Sequence, residues 1–142
     1  MSDLLSDPTA ERSLAEIRRL SPAALAYLGD AIYELHVRRQ RLFPPDRLER
    51  YHQQVVRRVR GSAQAKLLLA LLPHLNPEEQ EIVRWGRNGC GRPPRHLPLA
   101  DYQNASGLET VLGYLYLVNP ERLRHVLALT DVLAETLGEE EG

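Results

Sequence analysis

Apolar residues recur every three or four positions along most of the chain, and no segment alternates apolar and polar in twos. That spacing is the signature of helix and excludes a half-buried strand, so the pattern predicts an all-α fold. Ser21-Pro22 starts the first clear helix, with Ser as N-cap and Pro at the first helical position. It is expected to run to about Phe43 and to stop at Pro44-Pro45. Asp46 opens a second helix, DRLERYHQQVVRRVR, which Gly61-Ser62 interrupts. The segment SAQAKLLLALLPHL is apolar on all sides and is predicted to be buried. Asn76-Pro77-Glu78-Glu79 caps and starts another helix reaching about Trp85. GRNGCGRPPRHLPLA, rich in Gly and Pro, reads as a loop. Helix resumes from about Ala105 to Val118, breaks at Asn119-Pro120 and continues through Glu121–Leu137 into a solvated GEEEG tail.

No internal repeat or linker divides the chain. Residues 1–142 are therefore read as a single domain, with 1–12 and 138–142 expected to be flexible. An apolar content of 43 % and a charged content of 26 % are ordinary for a globular protein. Net charge is −1, but its distribution is uneven. Between His36 and His96 stand thirteen Lys and Arg against five acids, a balance of +8; the two ends together carry −9. A basic middle folded into one face would attract a polyanion whatever the total charge. Seventeen of the eighteen cations are Arg, the side chain suited to bidentate phosphate contact. The single Cys90 excludes an internal disulfide. No apolar run approaches the ~20 residues of a membrane span, and the acidic N-terminus has no secretory leader, so a cytoplasmic location is expected.

Two helices carry the candidate chemistry. In LAYLGDAIYELHVRR, Leu25, Leu28, Ile32 and Leu35 form the expected core stripe, placing Asp30 and Glu34 opposite. Taken alone, that face reads first as a solvated i,i+4 charge ladder with Arg38, which leaves the mid-helix Gly29 unexplained. In ASGLETVLGYLYL, Glu109 lies at the edge of the apolar stripe with Gly113 one turn on. Each glycine admits either a second helix or a phosphate at close range. If the helices cross, Asp30 and Glu109 can share a divalent cation, and Mg²⁺ suits a site of one or two carboxylates completed by waters and a substrate phosphate.

RWGRNGCGRPPRH places Arg84, Arg87, Arg92 and Arg95 in a stretch that either follows a phosphodiester groove or merely keeps the surface soluble. Lone Trp85 supplies no stacking series, which favours a duplex over a single strand. Arg57, Arg58 and Arg60 either extend the same surface or are solvated. The five His residues lack ligand spacing, so zinc is not expected.

These segments resemble the ribonuclease III family. AYLGDAIYELHVR is similar to its core motif, VRGSAQAKL to its VRG-x-x-x-A-x-L helix, and LETVLGYLYL to its second acidic motif. With GRN preceding a basic loop, the resemblance narrows to the Mini-ribonuclease III branch, which lacks a double-stranded-RNA-binding domain. It spans roughly Leu20 to Leu137. By this resemblance Asp30 is the catalytic aspartate and Glu109 the metal-binding glutamate. Arg84, Arg87, Asn88, Arg92 and Arg95 are then the RNA-contacting set. Ala23, Ala26 and Ser106 stand where longer members carry acids, and Lys66 stands where relatives usually have Glu.

What the resemblance implies is a homodimeric, Mg²⁺-dependent endoribonuclease that cuts double-stranded RNA to leave 5′-phosphates. Its implied substrate is the precursor of 23S ribosomal RNA, and delivery of that substrate by a ribosomal protein is compatible with it. Gly29 would then give the RNA backbone and the metal room beside Asp30. Two rivals stand beside this: a non-catalytic RNA-binding or ribosome-assembly protein, and a helical adaptor whose arginines serve solubility.

Overall fold

The computed structural model describes residues 12–141, and every regular element among them is helical. In order these are α1 (Leu14–Arg18), α2 (Pro22–Arg41), α3 (Leu48–Val59), α4 (Gly61–Leu71), a 3₁₀ turn (Leu72–His74), α5 (Pro77–Asn88), α6 (Leu99–Val118) and α7 (Pro120–Glu141). None of these helices is long and apolar enough to cross a membrane.

Helix α6 is the axle. From Asn104 to Leu115 every residue except Glu109 is buried, because small residues, Ala105, Ser106, Gly107 and Gly113, alternate with Leu108, Val111 and Leu112. A helix of that composition can be surrounded, and α2, α4, α5 and α7 pack around it. All-round burial thus belongs to α6. In α4, Lys66 and Leu69 face outward while Gln64, Ala65, Leu67, Leu68 and Leu71 enter the core.

The caps follow the sequence closely. The Ser21 hydroxyl accepts from the Ala24 amide at 3.0 Å. Asn76 and Glu79 form a reciprocal capping box, in which each side chain accepts from the other residue's amide. The Asn119 side chain accepts from the Arg122 amide and opens α7. Two charged clusters fasten α7. Arg122 donates to buried Glu79 at 2.8 and 2.9 Å, and Asp131 accepts from Arg58 at 3.1 Å and pairs with His36 at 3.0 Å.

Several boundaries differ from expectation. Helix α1, capped by Ser13, is additional. α3 begins at Leu48, because Asp46 spends its carboxylate on the Arg47 amide. α6 begins at Leu99, six residues before Ala105. α5 continues through Gly86 to Asn88, so Arg84, Arg87 and Asn88 are helical and only Arg92 and Arg95 of the basic set lie on the connecting loop. At the C-terminus, α7 runs past Leu137 to Glu141. The flexibility expected for residues 1–12 concerns, apart from Arg12, positions outside the described residues.

Candidate active site

The buried row of α2 is Leu25, Gly29, Tyr33 and Val37. This corrects the expected stripe: Leu28 and Ile32 are half-buried and Leu35 is 59 % exposed. The difference has a simple origin. Glycine has no side chain to register as hydrophobic, so the wheel centres on the leucines instead. At 100° per residue, Asp30 falls about 20° from Val37 and therefore borders the buried row.

Gly29 sits where α2 crosses α6. A Cβ built there would come within 2.6 Å of the Glu109 carbonyl carbon, and closer still to its oxygen. Gly113 returns the contact, since its Cβ would stand 3.0 Å from the Leu25 carbonyl carbon and 3.2 Å from the Gly29 amide nitrogen. The two helices meet backbone to backbone, which only glycine permits. Gly29 is thus filled by protein, and the expectation that it makes room for RNA and metal is overturned. Its service to the site is indirect: by letting α6 approach, it brings Glu109 to Asp30.

The two carboxyl groups meet within hydrogen-bonding range at the crossing, Asp30 on the exposed side and Glu109 half-buried. Burial, reinforced by the hydrogen bond and negative charge of Asp30, pushes the Glu109 carboxyl up to about 9. Two like charges in a partly dry site cannot both ionise without compensation. Near neutral pH the pair needs either a proton or a cation.

The other face of α6 is built with equal closeness. Gly86 of α5 abuts the Thr110 side chain, whose hydroxyl donates to the Ser106 carbonyl at 2.7 Å. Gly107 lies under Val83 and the stem of Arg87. Position 107 is roughly 160° around the helix from 109, so Arg87, half-buried with its Nε lacking a hydrogen-bond partner, lies across α6 from the carboxylates. Arg84, Asn88, Arg92 and Arg95 are exposed. The structure therefore unites Asp30 with Glu109 and sets Arg87 across α6 from them, about one helix width, ~10–12 Å, away. Ser106 is buried, and Lys66 lines a separate cavity to which neither carboxylate contributes. No group of three His, Cys, Asp or Glu side chains that could hold a metal occurs among the described residues.

Sequence reasoning missed the cluster of Tyr33, His36, Arg58 and Asp131. Burial acts to raise the Asp131 carboxyl, but hydrogen bonds from His36 and Arg58 outweigh it and hold the group below the usual carboxylate range. Its members come from three separate helices, so no local pattern in the sequence signals it.

Residues 23–120 match the model of the Ribonuclease III domain. The chain is 55 % identical over 125 residues to Mini-ribonuclease 3 of Synechococcus sp., covering 86 % of this chain and 91 % of that one. It is 51 % identical over 116 residues to Mini-ribonuclease 3 of Synechocystis sp., covering 82 % and 81 %. A Fusobacterium nucleatum protein solved by X-ray crystallography superposes with a TM-score of 0.76 at 26 % identity, over 85 % of this chain and 97 % of that one.

Proposed function

The chain belongs to the ribonuclease III family of endoribonucleases, and from that premise we propose that it cleaves double-stranded RNA with Mg²⁺ bound between Asp30 and Glu109. The observation that carries this reading is the convergence of two carboxyl groups, 79 positions apart in sequence, at a backbone-to-backbone helix crossing.

The donor set fits the ion. Mg²⁺ is commonly held by one or two carboxylates, several waters and substrate phosphate, and a cation would take the place of the proton that the pair otherwise holds on Glu109. Bound there, Mg²⁺ would polarise the scissile phosphoryl group and acidify the attacking water. The protein's own part is positional. Asp30 presents its carboxylate from the exposed edge of α2, while Glu109 must yield its proton to serve as a ligand. Arg84, Arg87, Asn88, Arg92 and Arg95 supply phosphate contacts, Arg87 from across α6, a span that a double helix readily covers. Recognition would rest on A-form shape, phosphates and 2′-hydroxyls.

A homodimer acting in the cytoplasm on 23S ribosomal RNA precursor, with a ribosomal protein free to present the substrate, completes the proposal. Isologous pairing gives one centre for each strand, and the 84 % exposed Tyr27 and the exposed Leu35 of α2 offer apolar surface that pairing would cover. Incubating the protein with a long duplex RNA tests the reading. Fragments with 5′-phosphate ends that form with Mg²⁺ and not in chelator support it. Tight binding without cleavage would favour the non-catalytic RNA-binding alternative.

A further inference from the structure

A cavity of 340 Å³ opens between α2, α3, the start of α4 and the end of α7, away from the carboxylate pair. Among the described residues Arg41, Arg57, Arg58, Arg60 and Lys66 line it, together with the acid Glu135. Arg41, Arg57 and Arg60 form no ion pair among the described residues. Arg58 is held rigidly on one wall. Its side chain is 11 % exposed, it pairs with Asp131, it lies 5.9 Å from the centre of the Tyr33 ring, and its buried Nε has no hydrogen-bond partner.

Helix α4 begins at the same place. Its N-cap, Arg60, makes no side-chain capping bond, and the first-turn residues Ser62 and Ala63 line the cavity. A helix start with uncapped amides favours an anion. Leu67, Ala134 and Leu137 supply an apolar wall. The volume lies within the range of small-molecule sites and is too confined for a duplex backbone to enter. A solubilising surface would not concentrate arginines around a concavity, nor fix one of them in place beforehand.

We propose that this cavity binds a phosphorylated ligand of mononucleotide size, the arginines and the α4 amides taking the phosphate and the apolar wall taking the nucleoside. Two sources share that chemistry, a free nucleotide and the 5′-phosphorylated end of an RNA strand. Arg41 lies eleven residues beyond Asp30 on α2, about 16 Å along the axis, so either ligand could be bound beside the proposed catalytic pair. The site stands whether or not that pair cuts RNA.

Calorimetric titration of the full chain with ATP tests it, in resin-treated, metal-free buffer at about 0.15 M salt, where exposed charges are screened beyond about 8 Å. Saturable binding is expected, weakened at least about tenfold in the Arg57→Ala/Arg60→Ala double variant and unchanged in Asp30→Asn; circular dichroism confirms that each variant folds. Competition then separates the sources. Displacement of ATP by a 5′-phosphorylated RNA trinucleotide, and not by its 5′-hydroxyl counterpart, assigns the strand end. Displacement by neither assigns the free nucleotide. No saturable binding, equal binding by the double variant, or equal displacement by both trinucleotides would overturn the site.

Discussion

At the scale of the residue, the protein turns on what glycine omits. A methyl group at Gly29 would enter the Glu109 backbone, and backbone cannot move aside as a flexible side chain can. Gly29→Ala is expected to cost about 3 kcal/mol or more, at the upper end of overpacking penalties, measured by chemical denaturation. Gly91 gives the contrast, since a Cβ added there would meet nothing within 4 Å and only its φ of +80° resists substitution. Glu109 carries the opposite kind of constraint. Its carboxyl titrates near 9 when folded and near 4.5 when unfolded, so between those values the folded chain binds more protons than the unfolded chain. Stability of the metal-free protein therefore falls as pH rises through this window. Glu109→Gln should remove that slope and raise the melting temperature at pH 8 in chelator, while abolishing cleavage. A melting profile with the same pH slope as wild type would contradict this.

At the scale of the element, α7 is fastened by charges and α5 carries more of the basic stretch than its composition suggests. Asp131→Asn leaves Arg58 and His36 without their shared partner. It should cost about 1–3 kcal/mol, less than a fully buried pair, because both Arg58 and Asp131 keep some solvent contact. Because the Asp131 carboxyl is lowered on folding, this contribution is present above its unfolded value near 4 and is lost as pH falls through its folded value. Urea denaturation at pH 7 and in acid checks both. Arg87→Ala/Arg92→Ala should weaken duplex RNA binding and reduce the salt slope by about one per lost phosphate contact; an unchanged slope would mean that neither contacts phosphate.

The elements also show how far the sequence could be read. The caps at Ser21 and Asn76 are local devices that need only neighbouring residues, so they are legible directly, whereas Asn119 reads as a break and is in fact a cap. Gly86 reads as a breaker, because its partner Thr110 lies in another helix. The same blindness misplaces the core stripe of α2: hydropathy sees Leu28 and Leu35, while tertiary packing selects Gly29 and Tyr33. Asp30 and Glu109 are recognisable from their motifs, and their meeting point is set by a crossing that no single segment encodes. Asp131 belongs to a cluster assembled from three helices and leaves almost no local trace.

At the scale of the whole molecule, one helix organises everything. α6 presents Glu109 to α2 on one side and supports Arg87 of α5 on the other, so the carboxylates and that arginine are held apart by its own width. Pairing of two such chains about a two-fold axis would give each strand of a duplex its own centre. Sedimentation equilibrium should find a dimer, and a monomer at concentrations that sustain cleavage would remove that part of the account. The claim beneath all of this is that Asp30 and Glu109 act together on one phosphodiester. Single-turnover cleavage of an end-labelled RNA duplex at saturating Mg²⁺, comparing wild type with Asp30→Asn, addresses it most directly. The variant should fold and bind RNA as wild type does, yet cut at least about 100-fold more slowly. Cleavage by the variant near the wild-type rate would contradict it.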